Sequence, residues 1–185
     1  MILLCLGLVL WWAGHLFKRV MPERRAAMGN AGQGVVAVTL LVSVGLMIWG
    51  YRTADFVPLW TSPPFMVHVN NFLMVLALWT FGSSHAKDAK AWPASRIRHP
   101  QLTAVKIWAV AHLLVNGDLA AIVLFGGLLA WAVVEVIVIN RAEPEWTAPP
   151  PAGAATRIRL VVITVVLFLV IAYVHVWLGY WPFPA

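Results

Sequence analysis

The sequence predicts an all-α integral membrane protein, a bundle of about six transmembrane helices formed by residues 1–185 as a single domain. Hydrophobic residues make up 62% of the chain and charged residues 11%, whereas soluble domains carry about 25% charged residues. The mean hydropathy is +0.84. Too few polar groups are present to cover a surface in water, so the expected partner of the chain is a lipid bilayer.

The apolar residues fall into separate runs, and each run is interpreted as one span because about 20 apolar residues cross the hydrocarbon core. The first run lacks a basic start and a small-residue cleavage site, so it is expected to stay uncleaved. The fourth run is short and has to tilt, to borrow flanking residues or to stop inside the membrane. Cys5, in the first run, is expected to be a buried thiol. The predicted spans are residues 1–17, 34–50, 63–82, 102–115, 119–139 and 160–180.

Two connections are predicted from turn-forming residues. Asn116-Gly117-Asp118 between the fourth and fifth runs is typical of a tight turn. The prolines at 149–151 predict a loop before the sixth run.

The charges of the loops predict an orientation in the membrane. Eleven Lys and Arg residues lie in the loops after the first, third and fifth runs, and Arg52 alone follows the second. Because basic loops remain in the cytoplasm, six spans would place both termini on the outer side of the membrane. The net charge of +6 is therefore assigned to membrane orientation, and no nucleic-acid partner is expected.

Ionisable side chains within apolar runs are costly and often functional. Four of them are histidines, and neutral imidazole is the commonest metal ligand. No Cys pair, Glu-x-x-His or His-Glu-x-x-His motif accompanies them, which disfavours zinc and di-iron sites. A haem held by two histidines remains, beside a proton relay and plain interhelical hydrogen bonds. The candidate metal ligands are His112, His15, His68 and His175.

Depth along the helices favours some pairs of histidines over others. With a rise of about 1.5 Å per residue, His68, His112 and His175 are expected at similar depths near the outer surface. His15 reaches the depth of His112 only if the first span is shifted towards the outer surface or the fourth span ends inside the membrane.

Three further residues are candidates for cofactor binding. Trp11 and Trp108 each precede a histidine by four residues, so each shares a helix face with that histidine and could flank a porphyrin. Lys106 could meet a haem propionate, although a structural ion pair with Glu135 is the stronger expectation. Arg98 and His99 precede a helix start and could bind an anion there.

Several motifs together resemble the NnrU family of small bacterial membrane proteins over nearly the whole chain. They are Gly14-His15-Leu16-Phe17-Lys18, Gly50-Tyr51-Arg52, His68-Val69-Asn70-Asn71, Ile97-Arg98-His99-Pro100-Gln101-Leu102, Ala111 to Asp118 and Leu124-Phe125-Gly126. Arg98-His99-Pro100 is also similar to membrane methyltransferases of the isoprenylcysteine carboxyl type. Those enzymes need a later Glu-Glu helix segment, for which only Glu143-Pro144-Glu145 is available here.

The NnrU resemblance implies a link to nitrite and nitric oxide reductases in denitrifying bacteria. A related family, zeta-carotene isomerase, carries haem b, and by that resemblance His15 and His112 are the matching ligand positions. The leading hypothesis is therefore haem b binding, with His112 as one axial ligand, for nitrogen-oxide metabolism or for cis–trans isomerisation of a small hydrophobic polyene. Whether the chain is an enzyme stays open.

Two alternative functions are also consistent with the sequence. One is a non-enzymatic accessory protein that assists maturation or expression of a nitrogen-oxide reductase and binds its components. The other is an anion or proton conduit lined by His68, His112, His175 and Asp118.

Overall fold

The chain is almost entirely helical. A computed structural model describes residues 1–183, and that part of the chain contains helices and no β-strand, as the all-α prediction requires. A π-helical turn at Ile122–Gly126 lies within the helical segment Leu119–Ala142. The helices are α1 Ile2–Val20, α2 Pro22–Ala27, α3 Ala31–Arg52, α4 Met66–Gly82, α5 Pro100–Val115, α6 Leu119–Ala121, α7 Gly127–Ala142 and α8 Ala154–Trp177.

Four helical segments are long and apolar enough to cross a membrane: Ile2–Val20, Ala31–Arg52, Leu119–Ala142 and Ala154–Trp177. The apolar helices α4 and α5 have 17 and 16 residues, which is about 25 Å at the helical rise, against about 30 Å of hydrocarbon. The predicted count of about six spans is therefore not confirmed.

The short length of α4 has a local cause. The run predicted at 63–82 begins with two prolines, and the amide of Met66 donates to the carbonyl of Pro63 at 2.9 Å in a turn before the helix. Because Pro64 disfavours helical backbone at Pro63, the helix does not extend over the whole predicted run, and α4 begins at Met66 after the turn.

Apolar side chains cover the outside of the long helices. On α8, Ile158, Leu169 and Trp177 are 64%, 56% and 77% exposed. The thiol of Cys5 is also exposed, so the expectation of a buried thiol is wrong. Soluble monomers rarely show such large apolar surfaces, and these helices indicate a multi-pass protein in a lipid bilayer.

The chain divides into two compact units. Unit 1 comprises Met1–Trp60 and Asn116–Pro144. Its helices α1 and α3 pack closely because glycine stands at the contact: a methyl group on Gly50 would collide with the backbone of Leu4. Helix α7 joins them, and the indole Nε1 of Trp12 donates to the carbonyl of Gly127 at 3.2 Å.

The segment at Asn116–Asp118 is not an isolated tight turn. The amides of Leu59 and Trp60 donate to the carbonyl of Gly117 at 2.7 and 3.1 Å, and Pro58 pairs with Asp118 in an antiparallel bridge. The carboxylate of Asp118 then caps α6 by accepting from the amide of Ala121 at 3.0 Å. The sequence reveals the break in the helix but not the distant segment that binds it.

Unit 2 comprises Thr61–Val115 and the chain from Glu145 onward. Helix α4 packs against both α5 and α8. The hydroxyl of Ser62 donates to the carbonyl of Leu114 at 2.8 Å, so the start of α4 lies beside the end of α5. At the other end of α4, Gly82 lies against the side chain of Leu160 on α8.

Candidate functional site

Three of the four predicted histidines share one local geometry. The Nδ1 atoms of His15, His112 and His175 lie 3.0, 2.9 and 2.8 Å from the carbonyl oxygen four residues earlier in the same helix. A carbonyl oxygen only accepts a hydrogen bond, so Nδ1 carries the proton of the neutral imidazole. The lone pair is then on Nε2, which is the state in which histidine binds a metal.

Two of these histidines lie in the same unit and at the same end of it. His112 is near the end of α5 and His175 is near the end of α8. A positive charge on the ring of His175 would act electrostatically on the ring of His112. Both side chains are partly buried, and the ring of Trp108 lies 5.0 Å from that of His112 at 52°. The structure thus brings together His112, His175 and the predicted neighbour Trp108.

His68 differs from these histidines. It lies in the first turn of α4 and is exposed. The residues that follow it are amides: Asn70 Nδ2 donates to Asn71 Oδ1 at 3.1 Å, and Asn71 Nδ2 donates to the carbonyl of Pro182 at 2.9 Å. The C-terminal segment therefore contacts the His112–His175 end of unit 2, a contact for which the sequence carries no signal.

His15 lies in unit 1, between two tryptophans. Its ring centroid is 4.2 Å from that of Trp11 and 4.5 Å from that of Trp131, and the two indoles meet edge to face at 5.2 Å. The spacing of Trp11 and His15 along α1 predicted the first contact. Trp131 was missed, because nothing in the sequence shows that α7 packs beside α1. The indole nitrogens of Trp11 and Trp131 are buried without a hydrogen-bond partner.

A buried acidic residue of unit 1, Glu135, lies one turn beyond Trp131 on α7. Glu135 is 8% exposed, and its Oε2 has no hydrogen-bond partner. The charge that acts on it within the unit is that of Arg19, whose guanidinium also pairs with Glu143 at 2.7 Å. Lys106 is on α5 in unit 2, so its pairing with Glu135 remains a prediction, as does its contact with a propionate.

Among residues 1–183, no three His, Cys, Asp or Glu side chains lie together as ligands of a metal ion. A site built wholly from protein ligands, such as a structural zinc site, therefore has no candidate in that range. A haem needs fewer protein ligands than such a site, because the porphyrin supplies four of the iron ligands and the protein supplies only the axial ones. The lone pairs on Nε2 of His112 and His175 are of the kind that such ligation uses.

Apolar helices and partly buried imidazoles define this chain as a multi-pass helical membrane protein. The family model described as NnrU protein matches residues 3–182, so the chain belongs to the NnrU family. The family that the motifs indicate is thereby confirmed. The search of curated proteins found no match, and the search of solved structures found none.

Proposed function

We propose that this protein binds haem b inside the membrane, with His112 as one axial ligand and His175, in the same unit, as the other. The proposal is supported by the tautomer of the two imidazoles, which both hold their proton on Nδ1, and by their place at the same end of unit 2, where a charge on His175 acts on His112. When bound, haem b would supply a redox-active iron. His15, the position that the family resemblance implies, is the alternative second ligand, and His68 is kept as a candidate.

The other residues have roles that follow from their surroundings. The carbonyl groups of Trp108 and Ile171 orient the two rings and fix their tautomers, as partners of ligating histidines do. The ring of Trp108 restricts the rotation of His112. The apolar surfaces of the helices exclude water from the site, which influences the potential of a bound haem.

The setting we propose is nitrogen-oxide metabolism at the bacterial inner membrane, with both termini in the periplasm. Membership of the NnrU family supports the link to nitrogen oxides, and the asymmetry of basic loops supports the orientation. Isomerisation of a polyene is the second reaction we consider, because α8, which carries His175, exposes many apolar side chains, and a hydrophobic substrate binds to an apolar surface.

The ligand assignment is tested by alanine variants at each histidine, with haem quantified per chain after purification from haem-replete cells. We expect His112→Ala and His175→Ala to lose most of the haem and His68→Ala to retain it. His85→Ala is the matched control, since its Nδ1 also contacts the carbonyl four residues earlier, at 3.1 Å, but the ring is exposed at the opposite end of α4.

Each alternative predicts a different pattern among these variants. Loss of haem from His112→Ala and His15→Ala, but not from His175→Ala, would make His15 the second ligand. Full haem retention in both His112→Ala and His175→Ala would contradict the proposal. Equal loss in His85→Ala would show that the effect is not specific to the site.

A further inference from the structure

The loop end of unit 2 contains a pocket that the histidines do not use. Its volume is about 140 Å³. It is formed by residues that follow α4, by the start of α5 and by the proline-rich segment before α8. The lining residues are Ser84, Lys90, Ala94, Ile97, Arg98, Pro100, Trp146 and Pro149.

The pocket is cationic. Lys90 and Arg98 line it, and none of the described lining residues is acidic. The ammonium of Lys90 donates to the carbonyls of Ser84 and Ala86. An ammonium has three donors, so these two bonds fix the position of the charge and leave one donor. A ligand that enters the pocket would therefore contact a positive charge whose position is fixed by these two bonds.

Backbone pairing shapes one wall of the pocket. The amide of Lys90 donates to the carbonyl of Pro150, and the amide of Ala152 donates to the carbonyl of Lys90, both at 2.9 Å. These bonds fix the proline segment that carries Pro149 and Trp146 beside Lys90. Binding in such a preformed pocket costs little ordering of the chain.

The surroundings of the pocket are those of a membrane interface. Trp92 and Trp146 are 61% and 42% exposed, and exposed tryptophans concentrate at the level of lipid headgroups. Next to the pocket, Phe81 at the end of α4 and Ile158 near the start of α8 are apolar residues with exposed side chains. Further basic residues lie in the same loops or at the start of α8, namely Lys87, Arg96, Arg157 and Arg159.

We propose that this pocket binds the phosphate of an anionic phospholipid, whose acyl chains follow the apolar surfaces of α4 and α8. Lys90 and Arg98 provide two cationic donors for the two non-bridging oxygens of one phosphodiester, and basic pockets of membrane proteins bind anionic headgroups. The site is separate from the proposed haem ligands. Pro100 lines the pocket and His112 follows twelve residues later on α5, which is about 18 Å along the helix.

Native mass spectrometry of the full chain, equilibrated with defined lipids, tests the proposal. We expect wild-type protein to retain phosphatidylglycerol in preference to phosphatidylcholine. Arg98→Gln should weaken phosphatidylglycerol binding about fivefold, the effect of removing one cation near an anionic lipid, and Arg98→Lys should keep most of it. Arg24→Gln is the matched control, because it removes the same charge from an exposed site on α2.

A second variant separates binding from folding, since Arg98 makes another interaction in the fold. Trp146→Ala alters the exposed wall of the pocket without changing its charge, and we expect it also to reduce phosphatidylglycerol retention. Equal retention of the two lipids by wild-type protein would overturn the proposal, and so would an equal loss in Arg24→Gln. Full displacement of the lipid by inorganic phosphate would assign the pocket to free phosphate and overturn the lipid source. We expect haem content to be the same in all of these variants, so the outcome is independent of the haem proposal.

Discussion

At the scale of single residues, one hydrogen bond decides what a histidine in this protein can do. A carbonyl four residues earlier accepts a hydrogen bond from the Nδ1–H of His15, His112 and His175, which leaves the Nε2 lone pair available. Sequence spacing identified Trp11 and Trp108 as neighbours of two of these rings. It could not show that Trp131 also packs on His15, because that contact joins residues far apart in the chain.

The close packing of α1 on α3 is tested by a substitution at Gly50. We expect Gly50→Ala to lower the free energy of unfolding by about 2 kcal/mol, the usual cost of overpacking a close contact, since the added methyl group would collide with the backbone of Leu4. Denaturant titration of the protein in mixed micelles measures this change.

The same helix offers a control for that change. Gly45 is also on α3, and a methyl group there meets no atom within 4 Å. Because alanine favours helix over glycine, Gly45→Ala should leave stability equal or higher. A Gly50→Ala variant as stable as Gly45→Ala would refute the described packing of α1 on α3.

At the scale of elements, the hydropathy pattern located the helices well but not their ends. The long apolar runs gave the four segments able to span a membrane, because a run of that length has no other stable arrangement in lipid. The run at 63–82 predicted a longer helix than α4, because apolar character does not reveal that Pro63 and Pro64 precede the helix in a turn.

The cap that Asp118 forms at the start of α6 leads to a prediction about stability. The carboxylate of Asp118 is 8% exposed and accepts from the amide of Ala121, so Asp118→Ala should cost about 1 kcal/mol in unfolding free energy through loss of the cap. Asp118→Asn retains a capping oxygen and should keep most of the stability in the same titration. If the two variants lose equal stability, the cap is not what Asp118 contributes.

At the scale of the whole molecule, composition alone predicted an all-α membrane protein, and the motifs predicted its family. The candidate site was only partly accessible to sequence reasoning. Depth along the helices placed His112 and His175 at similar levels, but their proximity depends on how α4, α5 and α8 pack. The second axial ligand therefore remains a prediction that only measurement decides.

If the membrane bundle holds haem b between two histidines, the absorption spectrum of the purified wild-type protein shows it. The protein is purified in detergent from haem-replete cells, recorded oxidised and then reduced with dithionite, with haem quantified per chain. We predict a sharp Soret band, split bands on reduction and about one haem per chain, as six-coordinate ligation by two histidines requires. A colourless protein would contradict the claim and leave the accessory role in reductase maturation as the leading function.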